Sequence, residues 1–276
     1  MSDLSAAGHE PVFVDAMRSP SLLDWLSHRE LLRNLVLRDL RLKYRGSVLG
    51  FLWSMVNPLM VVGVYAVAFG YILKVPTPAF VLYLVSGLLA WGYFAAAVSA
   101  STGAVIDSGS LIKSVCFPRA ILPIAAVLFN LAQFVLTCAA AVPVALLLYG
   151  LAPTPSMLAW PILVVLQTLM CVGLALLLST LTAFFRDIRH LLEIALQILF
   201  WMTPVIYESR MVPSALRAVM FLSPMTPFAL GYHQSLYYRQ WPDATVWLTA
   251  CAYTALACLI GFLVFRRHEE QFTELL

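Results

Sequence analysis

The sequence has very little charge. Only 11% of its 276 residues are Asp, Glu, Lys or Arg, whereas 62% are apolar and the mean hydropathy is +0.88. Soluble domains carry about 25% charged residues, so a water-facing surface of ordinary size cannot be built from this composition. A soluble globular enzyme, a disordered chain and a nucleic-acid-binding protein are therefore excluded.

The sequence also lacks the patterns that carry chemistry. No GxxxxGK[ST] loop occurs, so this chain cannot bind ATP in the P-loop manner. The five cysteines form no CxxC pair and no cluster with histidine at metal-ligand spacing. No HExxH, GxSxG or paired-carboxylate arrangement lies in an apolar run. We therefore expect no catalytic residue, no metal site and no cofactor in this chain.

What the sequence does contain is long apolar runs. A helix needs roughly 20 apolar residues to cross a bilayer core, because lipid offers no partner to an unpaired backbone group. Six runs reach or approach this length, near residues 46–73, 80–103, 120–150, 160–185, 191–207 and 245–265. The sequence thus predicts an all-α integral membrane protein with six transmembrane helices, the fifth being short and ending at Pro204.

The basic residues are unevenly distributed around these runs. Thirteen of the 17 Lys and Arg residues lie on the side of the N-terminal segment, and four lie on the other side. Because cytoplasmic loops are enriched in positive charge, both termini are predicted to be cytoplasmic. The chain then divides into an N-terminal segment (1–45), a transmembrane domain (46–265) and a cytoplasmic tail (266–276). Neither end segment is large enough to bury a core of its own.

Residues 27–45 have the pattern of an amphipathic helix. One side carries Leu31, Leu32, Leu35, Val36 and Leu42, and the other carries Asn34, Arg38, Arg41 and Arg45. A basic amphipathic helix just before a span is typical of the membrane interface. Two roles remain open, namely a membrane anchor without a protein partner and a docking surface.

The connection between the fifth and sixth runs, residues 208–243, is divided by prolines into two short helices near residues 213–222 and 227–238. Backbone that enters a bilayer without crossing it is tolerated only against protein or a water-filled cavity. We therefore predict an external re-entrant helix pair that lines or caps a pore. The alternative is an amphipathic hairpin on the outer surface, anchored by Tyr232, Tyr237, Tyr238 and Trp241.

Three segments resemble the permeases of ABC-2-type polysaccharide exporters, the family that exports O-antigen, capsule and teichoic acid polymers. The first is RDLRLKYRGSVLGFLW at residues 38–53. The second is FRDIRH at 185–190 followed by FWMTPVIY at 200–207, and the third is SPMTPF at 223–228. The resemblance covers nearly the whole chain, with compatible length and topology.

This resemblance implies the function. The chain is expected to be the permease subunit of an ATP-driven exporter of lipid-linked, O-antigen-like polysaccharide across the bacterial inner membrane, as part of lipopolysaccharide biosynthesis. It is expected to work as a homodimer with two copies of a P-loop ABC ATPase, on which ATP and Mg²⁺ bind. Contacts with that ATPase are implied at Arg38, Asp39, Arg41, Lys43, Tyr44, Arg45, Arg186 and Asp187.

The resemblance also gives a role to the cytoplasmic connection at residues 104–119. In similar transporters this connection closes the cytoplasmic mouth of the channel. The gate residues are then Asp107, Lys113, Pro118 and Arg119. Without the resemblance, the segment is a plain loop.

Aromatic residues make up 12% of the chain, and many lie within the apolar runs. Sugar rings pack on aromatic faces, and Tyr and Trp keep a polar edge for hydroxyl groups. The candidates for lining a polymer channel are Trp91, Tyr93, Phe94, Phe200, Trp201 and Tyr207. Helix packing or an interfacial belt is the alternative for each of them.

Other functions fit less well. An ABC-2 permease for a small lipid or drug is the nearest rival. An ion-coupled secondary transporter normally places ionisable residues near the bilayer centre, and the runs here hold mainly neutral polar groups, such as Asn57, Asn130, Gln133, Gln167 and Gln197. An intramembrane enzyme comes last because the chain offers no candidate catalytic group.

Overall fold

The computed structural model describes residues 29–44, 52–109 and 117–272, and in these ranges the chain is helical without any strand. The helices are α1 (Arg29–Tyr44), α2 (Trp53–Tyr65), α3 (Phe80–Thr102), α4 (Ala104–Asp107), α5 (Ile121–Leu148), α6 (Ala159–Phe184), α7 (Ile188–Met202), α8 (Ser214–Met220), α9 (Thr226–Tyr232) and α10 (Ala244–His268). Short π-helical segments continue α2 to Ile72 and α9 to Tyr237. The predicted all-α class is confirmed.

Five of the described helical stretches are long and apolar enough to cross a membrane, which makes the chain an integral membrane protein. They are Met55–Ile72, Phe80–Thr102, Ile121–Leu148, Pro155–Phe184 and Ala244–His268. The fifth predicted run differs, because α7 has only 15 residues. At 1.5 Å per residue it is roughly 22 Å long, less than a bilayer core of about 30 Å. It ends because Thr203 is extended, as expected of the residue before a proline.

Helix α3 forms the centre of the bundle. Its span is 78% buried, against 6% for the span that contains α2. Helices α2, α5, α6, α7 and α9 all contact α3, but α2 leaves many of its apolar side chains exposed. A helix that is apolar all round and buried belongs to the core, whereas an exposed one faces lipid or another chain.

Helices α6 and α10 pack very closely. Gly173 of α6 faces Gly261 of α10, and a Cβ atom at either position would come within 3.0 Å of the backbone of the opposite helix. The close approach lets the Thr254 hydroxyl donate to the carbonyl of Leu166 over 3.2 Å. Small residues at the crossing are what membrane helices use to bring two backbones together.

The apolar face of α1 packs on one end of the bundle, which we name the α1 end. Leu35 is 6% exposed and joins a cluster with Val105, Ile121, Leu176 and Phe265. Leu31, Leu32 and Val36 pack against this cluster, whereas Asn34, Arg38 and Arg41 are exposed. The predicted two faces of α1 are confirmed for these residues, and the apolar face contacts protein. Arg45 lies outside the described residues.

At the opposite end of the bundle, the far end, the chain after α7 forms two short helices close to the predicted positions. Helix α9 is buried, with Phe228, Ala229 and Tyr232 at 0% exposure, and it packs against α3, α6 and α10. Helix α8 is exposed except for Met220. The two helices thus differ, since α9 is part of the core and α8 is mostly exposed. Tyr232 is buried in protein and does not reach the outer surface that the hairpin alternative requires.

Candidate transport cavity and coupling surfaces

A cavity of about 870 Å³ lies between α2, α3, α5 and α7. Its lining is largely aromatic and neutral polar. The aromatic side chains are Trp53, Tyr65, Trp91, Tyr93, Phe134, Phe200 and Trp201, and the polar ones are Asn57, Asn130, Gln133, Thr137 and Gln197. Flat rings beside amide and hydroxyl groups offer both apolar contact and hydrogen bonds without a fixed charge.

Four of the six aromatic residues predicted from the sequence line this cavity, namely Trp91, Tyr93, Phe200 and Trp201. The rings of Trp91 and Phe200 lie 5.5 Å apart and join α3 to α7 across the cavity wall. Phe94 is 2% exposed and packs behind Trp91. The Tyr207 hydroxyl donates to the carbonyl of Trp201 over 2.8 Å, so it caps the end of α7 and lies outside the lining.

The polar wall contributed by α5 was not predicted as part of the site. Asn130, Gln133 and Thr137 all line the cavity. They recur at i, i+3 and i+7, which places them on one face of a helix. This polar stripe in an otherwise apolar run was the signal that could have identified the wall.

Lys43 supplies the positive charge of the cavity lining. Its Nζ donates to Oε1 of Gln133 over 2.6 Å and lies 5.3 Å from the centre of the Phe129 ring. Burial lowers the pKa of Lys43 below its usual value. Lys43 therefore faces the cavity, whereas Arg38 and Arg41 on the same helix are exposed.

The other α1 residues predicted to contact an ATPase form an outer surface. Arg38 and Asp39 make an ion pair of 2.9 Å, and their side chains are 52% and 36% exposed. Arg41 is also exposed. Tyr44 is the last residue of α1. The structure therefore presents Arg38, Asp39 and Arg41 together and separates Lys43 from them.

Arg186 and Asp187 form the exposed turn between α6 and α7. Two residues later, Arg189 crosses to the corner between α3 and α4. Its Nη2 lies 2.7 Å from Oδ1 of Asp107, one of the predicted gate residues. The predicted ATPase turn and the predicted gate are thus in direct contact through Arg189, a residue that the sequence had marked only as one of many basic residues.

The remaining gate residues lie at the start of α5. Pro118 is buried, and the guanidinium of Arg119 donates to the backbone carbonyl of Glu269, after the last turn of α10. Arg119 therefore ties α5 to the C-terminal end of the last long helix. Lys113 lies outside the described residues.

At the far end, a buried carboxylate anchors the connection after α7. Glu208 is 1% exposed, and its oxygens accept hydrogen bonds from Thr77 (2.8 Å), Tyr238 (2.9 Å) and Arg210 (3.0 Å). Burial favours a raised pKa for Glu208, but the three hydrogen bonds and the Arg210 charge outweigh it and hold the pKa below its usual value. Glu208 is therefore ionised and satisfied by its partners.

His233 makes a second buried contact at the far end. Its ring stacks on that of Tyr83 at 3.8 Å, its Nδ1 lies 2.7 Å from the Ser86 hydroxyl, and its Nε2 lies 3.0 Å from the carbonyl of Pro204. A carbonyl can only accept, so Nε2 carries the hydrogen. Burial lowers the pKa of His233 to about 4, so the ring is neutral near pH 7. His233 thus fastens the end of α9 to α3, and Glu208 fastens the chain after α7 to the α2–α3 connection.

Residues 30–237 match the family described as ABC-2 type transporter. Two curated relatives are each described as an O-antigen export system permease protein RfbA. The one from Myxococcus xanthus is 32% identical over 252 residues, which cover 90% of this chain and 95% of the relative. One from Klebsiella pneumoniae is 29% identical over 247 residues, which cover 87% and 92%. The chain therefore belongs to the ABC-2 type transporter family, and the resemblance found in the sequence is confirmed.

Proposed function

We propose that this chain is the permease subunit of an ATP-driven exporter of lipid-linked, O-antigen-like polysaccharide. It acts in the bacterial inner membrane with both termini in the cytoplasm. ATP and Mg²⁺ bind to a separate P-loop ATPase, of which two copies join a permease homodimer. The observation that carries the proposal is the large aromatic and amide-lined cavity in a chain whose curated relatives are O-antigen export permeases.

The chemistry of the lining favours a carbohydrate polymer over an ion or a drug. Rings such as Trp91 and Trp201 pack on the apolar faces of sugars, while Asn57, Asn130 and Gln197 can exchange hydrogen bonds with hydroxyl groups. Apart from Lys43, whose ammonium already donates to Gln133, the described lining carries no charge that would retain one repeat unit. A polymer can therefore slide through without being held tightly at any one place.

A second copy of the chain accounts for the exposed side of the cavity. Helix α2 forms one wall, yet Met60, Val64 and Tyr71 are 61%, 65% and 81% exposed. On α7, Trp201 lines the cavity and is 61% exposed. A cavity with polar walls is unstable when it opens directly to lipid, so a homodimer that faces α2 and α7 toward their counterparts supplies the missing cover.

The path of α7 supports six crossings. Arg189, at its start, contacts Asp107 after the last turn of α3. Phe200 contacts Trp91 in the middle of α3, and the carbonyl of Pro204 meets His233, which stacks on Tyr83 near the start of α3. Helix α7 and its extended continuation thus follow α3 from one end of the bundle to the other. The buried helix α9 then fits a re-entrant element beside the pore.

A tagged pull-down in mild detergent, followed by an ATPase assay on the purified material, tests the proposed class. We expect a P-loop ATPase to co-purify in a one-to-one ratio and to hydrolyse ATP. Cells that lack this chain are expected to retain the polysaccharide inside. Purification of the chain without any ATPase from native membranes would contradict the proposal, and export of a small lipid with normal polysaccharide would shift the cargo to the rival class.

Reversing the charge of the outer α1 surface is expected to uncouple ATP hydrolysis from polysaccharide export. The change is Arg38→Glu with Arg41→Glu, which places like charges against any acidic partner surface, and export should fall by about tenfold or more. Insertion into the membrane should remain normal, because both side chains are exposed. Polysaccharide export and ATP hydrolysis are measured together. Arg267→Glu, at the exposed end of α10, is the matched control. Equal export by the double variant and the control would show that the outer α1 surface does not dock the ATPase.

Replacing Trp201 with alanine is expected to lower export without loss of assembly. The side chain lines the cavity and is 61% exposed in one copy of the chain, so its removal takes away a sugar-packing face and leaves no void inside that copy. Export rate is measured together with recovery of the ATPase complex. Trp241→Ala is the control, because Trp241 is 54% exposed and lies outside the cavity lining. A normal export rate in Trp201→Ala would show that Trp201 serves helix packing or the membrane interface and does not contact the polymer.

A further inference from the structure

Arg189 connects two parts of the molecule that are far apart in sequence. It lies in the first turn of α7, next to the exposed turn that holds Arg186 and Asp187. Its Nη2 makes an ion pair of 2.7 Å with Oδ1 of Asp107 and lies 3.5 Å from the carbonyl of Gly103. Gly103 lies between α3 and α4, and Asp107 ends the single turn of α4, so both acceptors belong to the α3–α4 corner.

The corner is shaped to receive the guanidinium. A Cβ atom at Gly103 would lie closer than 3.0 Å to Nη2 and Cζ of Arg189 and to Oδ2 of Asp107. Any larger residue at this position must therefore shift the Arg189 guanidinium, the Asp107 carboxylate or both. Because Gly103 has no side chain, the guanidinium and the carboxylate can occupy the space beside it.

The ion pair joins the start of α7 to the α3–α4 corner, and α3 and α7 are neighbouring walls of the cavity. Helix α3 contributes Trp91 and Tyr93, and α7 contributes Phe200 and Trp201. The walls contact each other at two levels, through the Trp91–Phe200 ring contact inside the cavity and through Arg189–Asp107 at the α1 end. At the α1 end, the ion pair therefore links the start of α7 to the α3–α4 corner.

We propose that Arg189 is a positioning residue that transmits displacement of the α6–α7 turn to the α3–α4 corner and thereby to the cavity mouth. This inference rests on the proposed function, because the force on the turn comes from an ATPase bound at Arg186 and Asp187. When the turn moves, the guanidinium draws Asp107 and the end of α3 with it. Arg189 touches no cargo, and it acts only by linking two elements.

The exposure of the ion pair fits a role in transmitting displacement better than a role in stabilising the folded protein. The Arg189 and Asp107 side chains are 42% and 62% exposed. Ion pairs with this much contact with water contribute little to folding stability. The pair can therefore break and form again during a transport cycle, and removing it should leave the folded protein intact.

The test uses the full complex of the chain with its ATPase in cells that lack the native copy. Surface carbohydrate is measured by periodate labelling of intact cells, and ATP hydrolysis is measured on the purified complex. In Asp107→Asn and in Arg189→Gln, export per ATP hydrolysed is expected to fall by about fivefold, with normal membrane levels. Gly103→Ala should have the same effect without changing any charge.

Charge reversal separates transmission from a general loss of structure. The double variant Asp107→Arg with Arg189→Asp restores an ion pair, and it is expected to recover most of the export per ATP that each single reversal loses. Arg267→Gln removes a basic charge from the end of α10, which also packs at the α1 end, and should match the wild type. Unchanged coupling in the neutral variants, or no recovery in the double reversal, would overturn the inference. A wild-type chain that binds no ATPase would instead overturn the proposed function.

Discussion

Replacing Gly261 with leucine is expected to prevent the protein from accumulating in the membrane. A Cβ atom at this position would meet the backbone of Gly173 on α6 at less than 3.0 Å, and backbone cannot move aside as a flexible side chain can. Overpacking in a tight core costs about 1–3 kcal/mol for small insertions, and a leucine forces the two helices apart along their whole contact. Because total stability is only about 5–15 kcal/mol, this loss is a large part of it.

The measurements for this variant are membrane level by immunoblot and thermal unfolding in detergent. Gly261→Ala should fold with a lowered melting temperature, because it also separates the helices and weakens the Thr254 contact with Leu166. The matched control is Gly63→Ala on α2, where no atom lies within 4 Å of the added Cβ. There the gain in helix propensity is about 1 kcal/mol, so the control should be neutral or slightly stabilised. Normal levels of Gly261→Leu would show that α6 and α10 do not pack this closely.

The architecture was largely predictable because lipid imposes a simple rule on sequence. Runs of about 20 apolar residues can exist only as spanning helices, and five of the six predicted runs form helices of that length. The short length of α7 was predictable as well. The helix was expected to end at Pro204, and it ends at Met202 because Pro204 forces the preceding residue to be extended.

The cavity was predictable only in part, because a helix period shows which residues share a face but not what that face meets. Trp91 and Phe200 were identified by their chemistry, and the structure brings them within 5.5 Å of each other. Phe94 has the same chemistry and lies behind Trp91, one turn away from the lining. Lys43 lies on the basic helix α1, but the helix period did not show that its side chain reaches Gln133 in the cavity.

Contacts between distant parts of the chain could not be predicted from spacing. Thr77 and Glu208 are 131 residues apart, and Asp107 and Arg189 are 82 apart, yet each pair is joined by a hydrogen bond. No local pattern links such residues, because the pairing arises only when α3 and α7 pack side by side. The roles of Arg38, Arg186 and the gate residues likewise remain predictions, since they concern a second protein.

Replacing Glu208 with alanine is expected to loosen the far end of the bundle. The change removes the acceptor shared by Thr77, Tyr238 and Arg210. Thr77 is 7% exposed, so its hydroxyl loses its partner without gaining water, whereas the largely exposed Arg210 can be solvated. An unsatisfied buried polar group costs about 1–3 kcal/mol, which corresponds to a fall in melting temperature on the order of 5 °C.

The same carboxylate should make stability depend on pH. The pKa of Glu208 lies below its usual value of 4.5, so the folded state binds the proton more weakly than the unfolded state. The stabilisation is therefore fully present above the unfolded pKa and is lost as the pH falls through the folded pKa. Thermal unfolding from neutral to acidic pH should show this loss in the wild type and not in Glu208→Gln.

Asp243→Ala is the matched control for Glu208→Ala, because Asp243 is an exposed carboxylate in the same connection with a hydrogen bond from Gln234. It should unfold close to the wild-type temperature, since water replaces the lost partner. If Glu208→Ala unfolds at the same temperature as Asp243→Ala, the buried anchor does not hold the α8–α9 region. A clear difference would show that this region is fastened to the α2–α3 connection by Glu208, so that any opening of the far end must first break the Thr77 and Tyr238 hydrogen bonds.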